Sequence, residues 1–130
     1  MKYYSRRMVK YQDLNPAHRL FGGALLAWID EEAAIFASCQ LGTPRIVTKF
    51  MSEINFVAPA EVGDIVEFGL AIVSVGRTSL TVCCNVRNKH TKQTIINVER
   101  IVFVCVDADG DAKPHGKTSE TISANDEDEG

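Results

Sequence analysis

Between residues 15 and 30 the chain gathers side chains that could do acyl-transfer chemistry. Asn15 and Pro16 open a turn, His18 and Arg19 follow, and the pair Gly22-Gly23 leads into a helical run that carries Asp30 about two turns further on. The first N–H groups of a helix have no intrahelical acceptor and sit at the positive end of its dipole. Glycine lets a substrate oxygen approach them unobstructed, which is the physical recipe for an oxyanion hole. The same two glycines would equally serve a sharp turn or close packing of helix on strand. Asp30 could act as a general base toward water or attack a carbonyl itself, or be a solvated helix acid like Glu31. Asn15 fits either a loop cap or a group that holds a water or a carbonyl. His18 and Arg19 suit an anion contact or plain exposure. A second donor-rich stretch, Gly76-Arg77-Thr78-Ser79, reads as a hairpin tip whose side chains could meet phosphates.

Other chemistries find no support. There is no phosphate-binding glycine loop, no G-x-G-x-x-G, no H-E-x-x-H and no G-x-S-x-G. His90 and His115 have nothing beside them in sequence to make a metal site, and no metal is expected. Asp107 to Asp111 resembles the start of a calcium loop, but its twelfth position is Thr118 instead of glutamate, so it reads as a strand-ending turn. The four cysteines, Cys39, Cys83, Cys84 and Cys105, form no C-x-x-C pair. Buried thiols in a reducing compartment fit them better than a disulfide framework.

The elements that must position these residues follow from pattern. Tyr3 to Lys10 reads as a short strand and Tyr11 to Leu20 as a loop. The helix begins near Gly22-Gly23, runs through Cys39 and ends at Gly42-Thr43-Pro44. Leu25, Trp28, Ile29 and Phe36 form its apolar stripe, interrupted by Glu32. Ala27, Asp30, Ala34 and Ala37 form a small-residue side that something can approach. Four strands follow: Arg45 to Val57, Ile65 to Val75, Thr78 to Asn88 and Gln93 to Val106. Alternation in the first of these puts Thr48, Phe50, Ser52, Ile54 and Phe56 toward the helix. Short turns imply antiparallel neighbours, and one helix on one face of such a sheet is an α+β fold. An exposed edge and a polar strand face lead us to expect a dimer.

At 130 residues the chain has room for one domain, here 1–114 with an acidic tail at 115–130. Disorder is expected from Lys113 onward. The net charge of −3 hides an asymmetry: residues 118–130 hold five of the 17 acids and no base, leaving 14 basic and 12 acidic residues, a net of +2, in the body. That suits an anionic small ligand and is too weak to argue for nucleic acid. No apolar run is long enough to span a bilayer and no leader pattern opens the chain, so the expected location is the cytoplasm, with no membrane partner.

Taken together, Asn15-Pro16, Phe21-Gly22-Gly23 and Asp30-Glu31-Glu32-Ala33 resemble the signature of hotdog-fold acyl-CoA thioesterases. The resemblance is to the bacterial short- and medium-chain and the cytosolic long-chain acyl-CoA hydrolases. It continues through Met51 to Pro59, Val62-Gly63-Asp64, Gly76 to Ser79 and the last strand, covering roughly residues 10 to 114. It implies a long helix wrapped by a curved five- to six-stranded antiparallel sheet, homodimers with a continuous sheet, and hexamers built as trimers of dimers. It implies Asp30 as base or nucleophile, Asn15 of the facing subunit positioning water or thioester, and the Gly23 N–H polarising the thioester carbonyl beside Gly22. Arg77, Thr78 and Ser79 would lie near the coenzyme A phosphates or pantetheine. No cofactor is implied, because coenzyme A is part of the substrate. The family carries glycine where this chain has His18, which enters φ > 0 less freely, so a reshaped loop or an added polar contact to substrate is expected there. The expected activity is hydrolysis of an acyl-CoA to free acid and coenzyme A. The alternative is a non-catalytic acyl-CoA-binding or regulatory module. A hydratase on the same scaffold is a third option, with His18 the only nearby histidine.

Overall fold

The computed structural model describes residues 1–122. The first strand is β1 (Lys2–Met8). A single 3-10 turn at Tyr11–Asp13 leads to the helix α1 (Gly22–Leu41). Four strands follow: β2 (Ile46–Phe56), β3 (Ile65–Val75), β4 (Ser79–Asn88) and β5 (Thr94–Cys105). They form one antiparallel sheet in the order β1-β3-β4-β5-β2, so β1 and β2 are its edges. The helix lies on one face, as the family resemblance implies.

The helix ends where it must. Gly42 takes the left-handed conformation at φ 70° and its N–H returns to the Ser38 carbonyl. Leu25, Ile29, Ala33, Phe36, Ala37 and Leu41 are buried against the sheet. Opposite them stand Val66, Phe68 and Leu70 of β3, Leu80, Val82, Cys84 and Val86 of β4, and Ile96, Val98, Ile101 and Phe103 of β5. Alternation along β4 is the ordinary consequence of a strand with one face buried, whereas residues 66–70 of β3 are buried on both faces. Ala37, expected on the open side of α1, is in this core. Burying that many apolar side chains, at about 1.5–3 kcal/mol each, is what fixes α1 to the sheet. Gln40 also lies in this interface, with neither amide atom hydrogen-bonded.

Two sequence expectations need correction. β2 does not keep one alternation throughout. Its register against β5 shifts between Thr48 and Phe50, a bulge at Lys49, and Glu53 adopts φ 57°. Thr48 faces the helix as the alternation predicts, but past the bulge Phe50 is exposed and Met51 packs on the core instead. The expected disorder from Lys113 also fails for residues 113–122. The Lys113 N–H reaches the Cys105 carbonyl at 2.9 Å, His115 hydrogen-bonds the β3–β4 hairpin, and Ile122 is buried in the core. The acidic run from 126 to 129 lies outside the described residues.

β2 ends the fold as an open edge. Val47, Phe50, Ile54 and Phe56 along it are all exposed. A long edge strand with exposed apolar side chains is a template for pairing with another strand.

Candidate active site

The loop before α1 is built around Asn15. Its Oδ1 accepts the N–H groups of Ala17 at 2.9 Å and Arg19 at 3.1 Å, and its own N–H donates to the Arg19 carbonyl at 2.7 Å. That is a side chain mimicking a backbone turn. Closing it requires a left-handed residue, and His18 supplies it at φ 62°. Histidine here takes a conformation that glycine would adopt without strain, and the imidazole is exposed. The Leu20 N–H then bonds the Ala60 carbonyl and the Phe21 N–H the Asp13 carbonyl, which aims the chain into α1.

Phe21 caps the helix with extended backbone and no side-chain bond. The first intrahelical bond runs from the Leu25 N–H to the Phe21 carbonyl, so those of Gly22, Gly23 and Ala24 are left without an intrahelical acceptor. A Cβ on Gly22 would come 3.3 Å from the Phe56 ring, and one on Gly23 would meet the Phe21 ring at 2.7 Å. Glycine here keeps two aromatic rings close to bare backbone donors. Asn15, Arg19, Gly22, Leu25, Phe56 and Ile95 line a cavity of about 390 Å³ at this helix start.

Asp30 stands further along α1, half-buried. Thr48 of β2 donates its hydroxyl to Asp30 Oδ1 at 2.7 Å. An O–H···O⁻ bond this short is charge-assisted and holds the carboxylate in one orientation. Alternation along β2 already turns Thr48 toward the helix; that it meets Asp30 is seen only in the fold. The two neighbouring acids belong elsewhere. Glu32 accepts from Ser5 at 2.7 Å and pairs with Arg7 at 3.0 Å, and Glu31 shares that arginine at 3.2 Å, so both tie α1 to β1.

Asn15 and Gly22 thus share one cavity, while Asp30 is separate from it. Seven residues of helix separate Gly23 from Asp30, about 10 Å along the axis at 1.5 Å per residue. One carbonyl cannot touch both in the same protomer. Arg77, Thr78 and Ser79 are more distant still. β3 leaves the loop that touches Val9 and Leu20 and runs eleven residues to reach them, roughly 35 Å of extended chain. Gly76 closes that tip, with its N–H on the Ser79 carbonyl at 3.0 Å, and a Cβ there would collide with Ser79 Oγ. Arg77 is exposed and, among the described residues, has no carboxylate partner.

A separate charged cluster sits on the outer sheet face. Glu67, buried, is bonded by Arg87 at 2.7 Å and Arg6 at 3.3 Å, with Lys92 at 3.5 Å. Burial alone would raise its carboxyl, but the hydrogen bonds from Arg87 and Arg6 and the charge of Lys92 outweigh that and lower it. Arg87 also stacks on Tyr3, 3.6 Å from the ring centre. The cluster ties β1, β3 and β4 together, away from Asp30. Among the described residues no three His, Cys, Asp or Glu side chains converge as a metal site, and no helix is long and apolar enough to cross a membrane.

With this geometry in place, comparison with known proteins is decisive about class. Residues 18–95 match the family model described as the thioesterase superfamily. The chain belongs to that superfamily. It is 34% identical over 98 residues to an uncharacterized acyl-CoA thioester hydrolase of Zymomonas mobilis, covering 73% of this chain and 65% of that relative's length. Among solved structures it is similar to a hexameric hotdog fold thioesterase of Campylobacter jejuni, with a TM-score of 0.75 and 29% identity over 93% of this chain and 92% of that one. It is also similar to an asparagine-to-alanine variant of the acyl-CoA hydrolase of Staphylococcus aureus in complex with coenzyme A. There the TM-score is 0.77 and identity 25%, over 96% of this chain and 84% of that one. The fold is a hotdog.

Proposed function

We propose that this protein hydrolyses acyl-CoA thioesters to a free acid and coenzyme A, at a site shared between two copies of the chain. The observation that carries the reading is the pairing of a bare helix start at Gly22-Gly23 with an oriented carboxylate at Asp30. The names of the relatives support the substrate class.

The sharing follows from distance. Gly23 and Asp30 serve one carbonyl only if they come from different protomers. β2 is the open edge that could bring this about. Antiparallel pairing of β2 with its copy sets the Ile46 end of one strand beside the Phe56 end of the other. Phe56 lies on Gly22, and Thr48 holds Asp30, so the two-fold carries the partner's Asp30 toward this protomer's helix start. In the same way it carries the partner's Arg77 to the end where Asn15 lies, because the Thr78 carbonyl bonds Cys105, which pairs with Ile46.

The chemistry is then economical. The Gly23 N–H, helped by the helix dipole, stabilises negative charge on the thioester oxygen as the tetrahedral intermediate forms. The partner's Asp30 takes a proton from a water that attacks the carbonyl and passes it to the departing thiolate, or it attacks the carbonyl directly, expelling the thiolate. In the second case a water then hydrolyses the mixed anhydride, giving the free acid and the proton that completes the thiol. Asn15, Gly22 and His18 border the reacting end. Arg77, Thr78 and Ser79 meet the phosphates or pantetheine, Arg77 as a free cation. Coenzyme A is substrate and no cofactor enters. We place the protein in the cytoplasm as a homodimer, with a trimer of dimers as the larger assembly; the Campylobacter jejuni relative is hexameric. The domain proper reaches at least to Ile122.

A thiol-release assay across acyl-CoA chain lengths tests the activity. Release by the wild-type chain, lost in Asp30→Asn, is the expected result. Tight acyl-CoA binding by calorimetry with no thiol release would replace this reading with the non-catalytic module.

A further inference from the structure

We infer that His115 is a positioning residue for the coenzyme A end of the site, an inference that rests on Arg77, Thr78 and Ser79 meeting the phosphates of the substrate rather than its pantetheine. After β5 the chain turns back on itself. Val106 bridges to Ala112, and the Lys113 N–H returns to the Cys105 carbonyl at 2.9 Å. His115 then lands on the hairpin. Its backbone N–H faces the Arg77 carbonyl at 3.3 Å, and its Nε2 is 3.0 Å from the Ser79 carbonyl. The Lys117 N–H donates to Nδ1 at 3.0 Å, so Nδ1 carries no proton and Nε2 is the donor to Ser79. Lys117 continues past Gly42, and Ile122 buries itself in the core, anchoring the far end of the strap.

The Ser79 carbonyl thus accepts twice: from Gly76 within the turn and from His115 across it. The first bond closes the hairpin; β5 holds its base, with the Cys105 N–H on the Thr78 carbonyl at 2.7 Å, and His115 adds a second tie from the strap. Each orientation that a donor-rich tip samples weakens its hold on a phosphate. His115 narrows that motion without touching substrate. Its ring supplies one donor and one acceptor in a fixed arrangement, and glutamine or asparagine can each reproduce only one of them.

The test compares kcat and KM of wild type, His115→Ala, His115→Gln and His115→Asn. The substrates are the acyl-CoA turned over fastest and the matching acyl-pantetheine, which lacks the phosphorylated nucleotide. For His115→Ala, KM for acyl-CoA should rise about 3- to 10-fold, the loss expected for one neutral hydrogen bond, with kcat within about 2-fold. KM for acyl-pantetheine should not change. Gln, which keeps a donor toward Ser79, should restore most of the loss, and Asn, which keeps only the acceptor for Lys117, should not. Equal effects on both substrates, or none, overturn the inference. If His115→Ala does not fold, the Gln and Asn variants decide it by the same contrast. If wild type releases no thiol from any acyl-CoA, the hydrolase reading fails, and the inference is read from calorimetry with coenzyme A. A Kd weakened 3- to 10-fold by His115→Ala then supports it; an unchanged Kd, or no binding by wild type, overturns it.

Discussion

Replacing Thr48 with valine exchanges one hydroxyl for one methyl and leaves the shape of the side chain almost unchanged. Thr48 is on an exposed edge strand, and valine suits a strand as well as threonine does, so the fold should lose no more than the hydrogen bond itself is worth. What is lost is the 2.7 Å bond to Asp30 Oδ1. A hydrogen bond to a charged group is worth about 1.5–3 kcal/mol. If the bond holds the carboxylate where it attacks, that energy appears in the transition state, and kcat should fall by about 10- to 150-fold with KM little changed. Thiol release at saturating acyl-CoA measures it. Thr48→Ser keeps the hydroxyl and should retain turnover within about 3-fold of wild type, which separates the bond from the methyl contact. A Thr48→Val enzyme with kcat unchanged or raised would refute the reasoning, because Asp30 would then need no orientation from β2.

Other outcomes follow from single residues. His18→Gly should raise the melting temperature by a few degrees. The left-handed conformation costs about 1–2 kcal/mol, of which glycine's greater unfolded freedom returns about 0.5–1 kcal/mol. A lower melting temperature would mean that the imidazole makes a bond worth more than the strain. Glu67, lowered by its three cations, stabilises the fold above the ordinary carboxylate pKa. That contribution disappears as pH falls through its folded value, so Glu67→Gln should flatten the acid limb of a stability–pH profile below about pH 4. A limb as steep as wild type would remove the cluster from the account. Exposed Cys39 should react first with a disulfide reagent. Burial pushes the Cys84 thiol up to about 12, so it should react only on unfolding. Fast labelling of Cys84 in the native protein would contradict its placement in the core.

Much of this architecture is legible in the residues because its signals are local. The Gly42 helix stop, the Gly76-Arg77 and Lys89 to Lys92 hairpins and the alternation in β4 each lie within a few residues, and all appear where they are read. What escapes the sequence is non-local or a matter of phase. The bulge at Lys49 has no glycine to mark it, yet it decides that Phe50 faces outward and Met51 packs on the core. Glu67 reads as one polar residue in an apolar strand until Arg6, Arg87 and Lys92 come together from three other segments. His115 lies in a polar stretch whose composition points to disorder; its order comes from one buried isoleucine and two main-chain carbonyls. For the site, residue types identify the helix start and the carboxylate. They do not reveal that β2 is an open edge, with Phe56 on Gly22 at one end and Thr48 on Asp30 at the other.

The central claim is that one site is built from Asn15 and Gly23 of one copy and Asp30 of the next. Mixing two inactive variants, Asn15→Ala and Asp30→Ala, and allowing subunits to exchange tests it in one thiol-release assay. Half of the randomly paired dimers would be mixed, and each mixed dimer would hold one intact site, so activity should return to about a quarter of wild type. A mixture no more active than its two components, or either variant turning over at the wild-type rate alone, would contradict the account.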